Sequence, residues 1–205
     1  MSEGPLEGLH GIVLAAGAAT RFGSLKQLVR VAGRPMLHNA VARAVDIAGS
    51  SVIVVLGAEA AELAPLLRHT PATVIVNREW REGMASSIRA GIARLPSSCT
   101  GVMITLADQP TVTTEDLRRL RSAWQRQADF IAAAFHEATV GAPAIFPRAM
   151  FSELSALRGD VGARQLLQRN PDRVVRVPMA SAAIDVDTPE DLLSLAGGRE
   201  PDQPP

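Results

Sequence analysis

Short apolar runs alternate with helical patterns along most of this chain of 205 residues. The first runs lie at 11–15, 51–56, 73–76 and 101–107, and a stretch with helical spacing follows each of them. Alternation of this kind is typical of α/β proteins, in which helices connect and cover parallel strands. Two later runs, at 130–135 and 142–146, have the form of paired strands around a loop. We therefore expect an α/β fold around a mostly parallel, mixed sheet. The helices are predicted at 36–48, 59–68, 86–95, 114–126, 148–157, 162–168 and 188–195, with late strands at 174–177 and 183–186.

Composition excludes several classes of protein. Lys plus Arg and Asp plus Glu are balanced at 21 each, so nothing indicates nucleic-acid binding or a polybasic membrane contact. Cys99 is the only cysteine, which excludes an intrachain disulfide and a multi-cysteine zinc site. No apolar run is long enough to cross a membrane, and residues 1–8 show no secretory signal pattern. We expect a cytoplasmic protein with a single domain over residues 1–197 and a disordered tail over residues 198–205.

The stretch from Gly11 to Leu28, GIVLAAGAATRFGSLKQL, is the segment most indicative of a ligand-binding function. A strand that ends in a loop of small residues before a helix exposes backbone N–H groups to which phosphate can bind. The loop also carries Arg21 and Lys26, two positive charges where a polyphosphate would lie. Its spacing fits neither GxxxxGK[ST] nor GxGxxG. The residues alone therefore leave phosphate binding and an ordinary strand-to-helix turn equally open.

The loops that follow the first four strands are expected to meet at one edge of the sheet. Gly17, Gly57, Asn77 and Asp108 come after these strands in turn. Ligands of open α/β sheets bind outside the carboxyl ends of the strands, so we expect one site there. Asp108 at a strand end could hold Mg²⁺, which prefers one or two carboxylates together with substrate phosphates. Alternatively, Asp108 caps the turn set by Pro110.

Five blocks of the sequence resemble the MobA-like nucleotidyltransferase family, in the order in which that family carries them. The blocks are LAAGAATRFGSLK (14–26), NREWREGMASSIRAG (77–91), LADQP (106–110), LRGDVGARQLL (157–167) and IDVDTPEDL (184–192). They cover nearly the whole chain, and within the family they are most similar to the molybdenum cofactor cytidylyltransferase subgroup. The resemblance implies a three-layer, Rossmann-like nucleotidyltransferase fold.

The resemblance also implies a reaction and a set of site residues. The reaction is a Mg²⁺-dependent transfer of NMP, with CTP favoured over GTP, to a phosphate-bearing acceptor of the molybdopterin type, with release of pyrophosphate. A molybdoenzyme or its maturation factor is a possible protein partner. The implied catalytic residues are Arg21, Lys26 and Asp108, and the implied metal ligands are Asp108 and Asp187. The implied nucleotide-binding residues are Leu14, Ala15, Ala16, Gly17, Arg21, Lys26, Gly83, Ser86 and Ser87. The implied acceptor-binding residues are Gly159, Asp160 and Arg164.

Several of these residues also have a simpler structural interpretation. Ser86 could be only the N-cap of its helix, and Asp160 the cap of the helix that follows it. Asp185 and Asp187 would share one face of a strand, and the resemblance favours Asp187 as the ligand. The residues after Asp187 have the pattern of a capped helix start, which Asp187 could merely assist. Trp80 could stack on a ligand, but packing in the core is the role expected of it.

Two other functions remain open at this stage. A sugar-phosphate nucleotidyltransferase would keep both the loop and the acids, whereas its usual sugar-binding insertions are missing here. A non-catalytic nucleotide-binding maturation factor for a molybdoenzyme would keep the loop without needing the metal-binding acids. The choice between CTP and GTP does not follow from the spacing of the motifs.

Overall fold

The structure is a computed structural model that describes residues 8–18, 22 and 25–197. Its strands are β1 (Leu9–Ala15), β2 (Arg30–Val31), β3 (Arg34–Pro35), β4 (Val52–Leu56), β5 (Thr73–Val76), β6 (Gly101–Leu106), β7 (Ile131–His136), β8 (Thr139–Pro147) and β9 (Val174–Pro178). Its α-helices are α1 (Met36–Ala48), α2 (Ala60–Leu63), α3 (Met84–Ile92), α4 (Thr114–Arg126), α5 (Phe151–Ala156), α6 (Arg164–Arg169) and α7 (Pro189–Gly197). Short 3-10 turns lie at Lys26–Leu28, Ala64–Leu67, Trp80–Glu82, Arg148–Met150, Pro171–Arg173 and Ala180–Ala183.

Seven of the strands form one mixed sheet with the order β5-β4-β1-β6-β8-β7-β9. The pairs β1–β4, β1–β6, β4–β5 and β7–β9 are parallel, and β8 is antiparallel to both of its neighbours. The predicted α/β fold with a mostly parallel, mixed sheet is therefore confirmed. The antiparallel strand is the return strand of the predicted hairpin.

Helices cover both faces of the sheet, which gives three layers. Successive side chains of a strand point to opposite faces, so Val13 and Ile12 of β1 enter different cores. Val13 packs in a core with Val41 of α1 and Leu120 of α4. Ile12 packs in a second core with Ile88 of α3. The two faces of β1 are thus both buried, as its continuous apolar sequence predicts.

Two helices begin with side-chain caps that the sequence encodes. The Thr113 hydroxyl of α4 accepts a hydrogen bond from the Asp116 N–H, and the Asp116 carboxylate accepts one from the Thr113 N–H. The start of α7 is similar, because Asp191 Oδ2 accepts from the Thr188 N–H at 2.7 Å. The predicted capped helix start at Thr188 is therefore present.

Two predicted elements differ from the structure. The helix expected at 59–68 is divided into α2 and a 3-10 turn, since Pro65 has no N–H with which to continue the α-helical bonding. The strand expected at 183–186 does not form. Val186 N–H donates to the Asp108 carbonyl at 2.9 Å, but residues 183–186 belong to no strand ladder in the described part of the chain.

Some predictions fall outside the described residues. Arg21 and the tail 198–205 belong to this group, as does the N-terminal stretch 1–7. Within the described part of the chain, no helix has both the length and the apolar character needed to cross a lipid bilayer.

Candidate active site

A pocket of about 640 Å³ lies at the carboxyl ends of the parallel strands. Residues from six separate segments line it: Leu14, Ala15, Ala16, Gly17, Ala18, Lys26, Gln27, Trp80, Arg81, Glu82, Gly83, Met84, Ser87, Leu106, Ala107, Asp108, Asp160 and Asp187. Gly17 and Asp108, which follow β1 and β6, meet at this pocket as predicted. Gly57 and Asn77, which follow β4 and β5, do not line it. This is the edge of the sheet at which α/β proteins bind ligands.

Lys26 lies between two carboxylates at one end of the pocket. Its Nζ is 2.8 Å from Oδ2 of Asp108 and 2.7 Å from Oδ1 of Asp187. The Lys26 side chain is only 13% exposed, so burial alone would lower the pKa of its ammonium group. The charges and hydrogen bonds of Asp108 and Asp187 outweigh burial and raise the pKa of Lys26. The lysine is therefore a fixed positive charge held by the two acids.

Local structure brings the two acids together from distant parts of the chain. Asp108 follows β6 directly after Ala107, and Asp187 lies just before α7. The backbone bond from Val186 to the Asp108 carbonyl holds these two segments side by side. The Asp187 N–H donates to Asp191 at 2.9 Å, so the cap of α7 uses the carboxylate of Asp191. The Asp187 carboxylate faces Lys26 and is not part of that cap.

The two carboxylates fit a hard divalent cation. Oδ1 of Asp108 is buried and has no hydrogen-bond partner among the described residues, although Oδ2 is paired with Lys26. Mg²⁺ takes one or two protein carboxylates and completes its coordination with phosphates and water. No group of three or more His, Cys, Asp or Glu side chains in the described part could hold a metal ion. Asp108 and Asp187 are thus two carboxylates that could serve as ligands of such an ion.

Asp185 lies outside this pair. It does not line the pocket, whereas Asp187 does. Partial desolvation raises the pKa of Asp185, and the negative charges of Asp108 and Asp187 raise it further. The geometry therefore separates the two acids of the IDVD segment, which two-residue spacing on a strand had placed on one face.

The loop after β1 forms the floor of the pocket. Leu14, Ala15, Ala16 and Gly17 all line it, as does Ala18. A Cβ on Gly17 would meet nothing within 4 Å, so the loop presents bare backbone to the pocket. Gln27 holds the loop in place, since its Nε2 donates to the Gly17 carbonyl at 3.2 Å. Sequence reasoning missed Gln27, although its position beside Lys26 was a usable signal.

The segment 77–91 forms the opposite wall. Gly83 and Ser87 line the pocket, together with Trp80, Arg81, Glu82 and Met84, which the sequence had not assigned to the site. Trp80 also packs against one of the two cores, and the Arg81 guanidinium lies 4.4 Å from its ring centroid. The expected packing role of Trp80 is thus combined with a position on the pocket wall. The hydrogen bond from Arg89 lowers the pKa of Glu82, which stays ionised beside the pocket.

Ser86 has a different position from Ser87. It does not line the pocket, and its hydroxyl donates to the carbonyls of Gly83 at 2.8 Å and Glu79 at 3.0 Å. It is also not an N-cap, because α3 begins two residues earlier, at Met84. The structure therefore brings Ser87 to the site and places the Ser86 side chain in a buried network behind it.

The GDVGAR segment, residues 159–164, contacts the wall at the start of α3. Asp160 Oδ1 accepts from the Met84 N–H at 3.4 Å, and the Gly159 carbonyl accepts from the Ala85 N–H at 3.2 Å. Asp160 therefore serves the start of α3, whereas α6 begins at Arg164 without a side-chain cap. Asp160 lines the pocket, but Gly159 and Arg164 do not. Arg164 is exposed, with Nη2 3.5 Å from the Thr139 hydroxyl.

The fold and this pocket define an α/β protein of the nucleotidyltransferase class. Residues 11–174 match the MobA-like NTP transferase domain, and the chain belongs to this family. As a member, it is a nucleotidyltransferase that binds an NTP. The resemblance found in the five sequence blocks is thus confirmed at the level of the family.

Two relatives span nearly the whole chain. The chain is 28% identical to nicotine blue oxidoreductase from Paenarthrobacter nicotinovorans, over 95% of this chain and 100% of that protein. It is 23% identical to the molybdenum cofactor cytidylyltransferase of Escherichia coli (strain K12), over 89% of this chain and 93% of that protein. Proteins with different names are therefore similar to this chain at 28% and 23% identity.

A solved structure has the same fold over almost the full length. Rv0371c from Mycobacterium tuberculosis H37Rv superposes with a TM-score of 0.78 and 31% identity, covering 93% of this chain and 99% of that chain. A second structure of Rv0371c was solved as a complex with manganese. The comparison supports the architecture described above over almost the whole chain.

Proposed function

We propose that the protein transfers CMP from CTP to a phosphate-bearing acceptor of the molybdopterin type, with Mg²⁺ as cofactor, and releases pyrophosphate. The observation that carries the proposal is the position of Lys26 between Asp108 and Asp187, at the end of a pocket floored by backbone. Such a cluster provides one cationic group for phosphate and two anionic groups for a metal. The choice of CMP and of the acceptor rests on the LADQP and LRGDVGARQLL blocks and on the cytidylyltransferase relative.

The residues of the chain act by positioning and by neutralising charge. A phosphomonoester is already deprotonated near neutral pH, so the acceptor needs no general base. Lys26 stabilises the triphosphate and the departing pyrophosphate, and the role of Arg21 stays a prediction. The end of β1 and the loop after it, from Leu14 to Gly17, supply backbone N–H donors and let the phosphates approach closely. Gly83 and Ser87 contact the nucleotide from the opposite wall.

Asp108 and Asp187 would hold the Mg²⁺ ion, which neutralises charge on the phosphate oxygens. Lys26 is bonded to these same two carboxylates. An ion held by both acids would compete with the ammonium group, which would then be available to the phosphates. The manganese complex of the mycobacterial relative supports a divalent ion in a protein of this fold.

The acceptor is proposed to bind beside Asp160, at the rim formed by Gly159, Asp160 and Arg164. This rim contacts the start of α3 and so adjoins the nucleotide wall. Arg164 is the exposed cation of the rim, which suits an anionic acceptor. The oxidoreductase name of the Paenarthrobacter relative is not carried over, because the charged groups of this pocket suit phosphate and a metal.

The proposal is tested first by a thermal-shift screen of the four NTPs with Mg²⁺, and then by mass analysis of products formed with molybdopterin cofactor. CTP should stabilise the protein most, and a CMP adduct should form fastest. A GMP adduct formed faster would assign the chain to guanylyl transfer. Transfer only to a sugar phosphate would favour the sugar-nucleotide alternative. NTP binding without transfer to any acceptor would favour a non-catalytic maturation factor.

A further inference from the structure

A buried amide behind the pocket wall fixes the direction of several hydrogen bonds. Oδ1 of Asn77 accepts a hydrogen bond from the Glu79 backbone N–H at 2.9 Å. A backbone N–H can only donate, so this contact identifies the oxygen of the amide without ambiguity. The other end of the amide is therefore the NH₂ group. It donates to Ser86 Oγ at 2.8 Å and to Ser87 Oγ at 3.0 Å.

These bonds use both protons of the Asn77 amide. Each serine hydroxyl accepts one of them and keeps its own proton for a different partner. The Ser86 proton is used within the protein, because Ser86 donates to the carbonyls of Gly83 and Glu79. In the described part of the chain, the Ser87 hydroxyl donates to no acceptor, and Ser87 lines the pocket with 4% of its surface exposed. The proton of Ser87 is thus directed towards the pocket.

Ser87 lies away from the charged end of the pocket. Asn77 follows β5 and Asp108 follows β6, and these strands are separated by β4 and β1 in the sheet. Three strand spacings place the two strand ends about 14 Å apart. The helix α3 that carries Ser87 packs on β4 and β1. A nucleotide with its phosphates at Lys26 and Asp108 therefore extends its base towards Ser87.

We infer that Asn77 is a positioning residue that sets the Ser87 hydroxyl as a hydrogen-bond donor to an acceptor atom of the nucleobase. For CTP the acceptor is the carbonyl oxygen or ring nitrogen on the base edge. The inference rests on the proposed function, since it assumes that the pocket holds an NTP. It assigns Asn77 a role in base recognition although Asn77 does not line the pocket.

The test measures dissociation constants for CTP and for inorganic triphosphate, both with Mg²⁺, by calorimetry. Inorganic triphosphate has no base and reports only the phosphate end. Ser87→Ala should weaken CTP about fivefold and leave triphosphate within twofold, as expected for the loss of one hydrogen bond. Asn77→Asp replaces the NH₂ group by an acceptor, so both serines turn towards it and Ser87 presents lone pairs to the base. Asn77→Asp should weaken CTP about tenfold or more without affecting triphosphate.

A double variant and a control make the result decisive. If Asn77 acts through Ser87, Asn77→Asp should cost little further CTP affinity in a Ser87→Ala background. Thr70→Ala removes a different hydroxyl, which donates to the Leu67 carbonyl at 2.8 Å outside the pocket, and should leave both constants unchanged. Equal losses for CTP and triphosphate, or an unaltered CTP constant in Ser87→Ala, would overturn the inference. Failure of the unmodified protein to bind any NTP would instead overturn the proposed function.

Discussion

At the residue scale, the main feature of the site is that Lys26 is bonded to the same two carboxylates that are proposed to hold a divalent metal. Lys26 Nζ lies within 2.8 Å of both Asp108 and Asp187. Opposite charges at this separation, partly shielded from water, attract each other more strongly than an exposed surface pair. The lysine therefore holds the two acids together at this end of the pocket.

Neutralising Lys26 should have opposite effects on metal binding and on turnover. Lys26→Gln should bind Mn²⁺ more tightly than the unmodified protein when no nucleotide is present, because no ammonium group competes for the carboxylates. The same variant should lose on the order of a hundredfold in pyrophosphate release, since the triphosphate loses its cationic partner. Free Mn²⁺ measured by electron paramagnetic resonance and a pyrophosphate assay provide the two readouts. Weaker Mn²⁺ binding in Lys26→Gln would contradict the competition.

The sequence predicted the individual residues of this cluster better than their pairing. Asp108 could be found because it ends an apolar run, and Lys26 because it follows a small-residue loop. Lys26 contacts Asp108 and Asp187, which lie 82 and 161 positions away from it in the chain. The contact with Asp187 also depends on the irregular segment before α7. The Asn77 network was missed for a similar reason, because hydrogen-bond direction depends on the position of the Glu79 backbone.

At the scale of single elements, side-chain caps define where helices begin and make the stability of the fold depend on pH. Burial would raise the pKa of Asp116 at the start of α4, but hydrogen bonds from Ser181, Thr113 and Arg119 outweigh it and lower the pKa. A carboxylate with a lowered pKa stabilises the folded state above its usual titration range. That stabilisation is lost as the pH falls through the folded-state pKa.

Asp116→Ala should therefore destabilise the protein by about 1 kcal/mol at pH 7, as for the loss of a helix cap. The difference from the unmodified protein should shrink as the pH is lowered below 4, because the unmodified carboxylate then becomes protonated as well. Urea unfolding at a series of pH values measures this difference. An equal difference at pH 7 and pH 3 would show that the charge of Asp116 does not contribute.

The close contact between the start of α3 and the GDVGAR segment requires a residue without a side chain at position 83. Gly83 has a φ of +111°, and a Cβ there would lie 2.6 Å from the backbone of Asp160. Gly83→Ala should destabilise the protein by about 2 kcal/mol or more and reduce turnover, because the Asp160 loop must move. Gly141→Ala is the matched control, since its Cβ would meet nothing within 4 Å and its φ is not positive. Similar unfolding curves and rates for the two variants would contradict this account of the contact.

The acceptor role of the same segment has its own test. Arg164→Ala should raise the acceptor KM or lower kcat and leave the NTP dissociation constant nearly unchanged, because Arg164 is exposed and outside the pocket lining. Steady-state kinetics with varied acceptor, combined with NTP titration, separates the two effects. A change in stability alone would indicate a surface role, and lost NTP affinity would assign Arg164 to the nucleotide.

Predictions of single elements succeeded where local patterns are strong. The helices α1 and α4 have the bounds predicted from sequence, and β5 does as well. The segment 183–186 was wrongly predicted as a strand, because its apolar alternation is present but no neighbouring strand pairs with it. Whether a segment joins the edge of a sheet depends on the other strands of that sheet. A local sequence pattern does not contain this information.

At the scale of the whole molecule, strand order explains how distant motifs form one pocket. The adjacent strands β1, β4 and β6 bring the backbone loop and Asp108 together, while β8 lies antiparallel beyond β6. Alternation of strands and helices predicted the layers, yet strand order could not be derived from it. The convergence of strand-end loops followed from the general rule for open α/β sheets, and it is the part of the site that sequence predicted best.

The central claim is that Asp108 holds the metal for nucleotidyl transfer, and one measurement tests it most directly. Pyrophosphate release from CTP is followed with molybdopterin cofactor and Mg²⁺, for the unmodified protein and for Asp108→Asn. If Asp108 holds the metal, the unmodified protein should release pyrophosphate only with Mg²⁺. The rate of release should fall on the order of a hundredfold or more in Asp108→Asn, with an unchanged circular dichroism spectrum. A near-normal rate in Asp108→Asn would contradict a metal-binding role and leave Asp108 only as the ion-pair partner of Lys26.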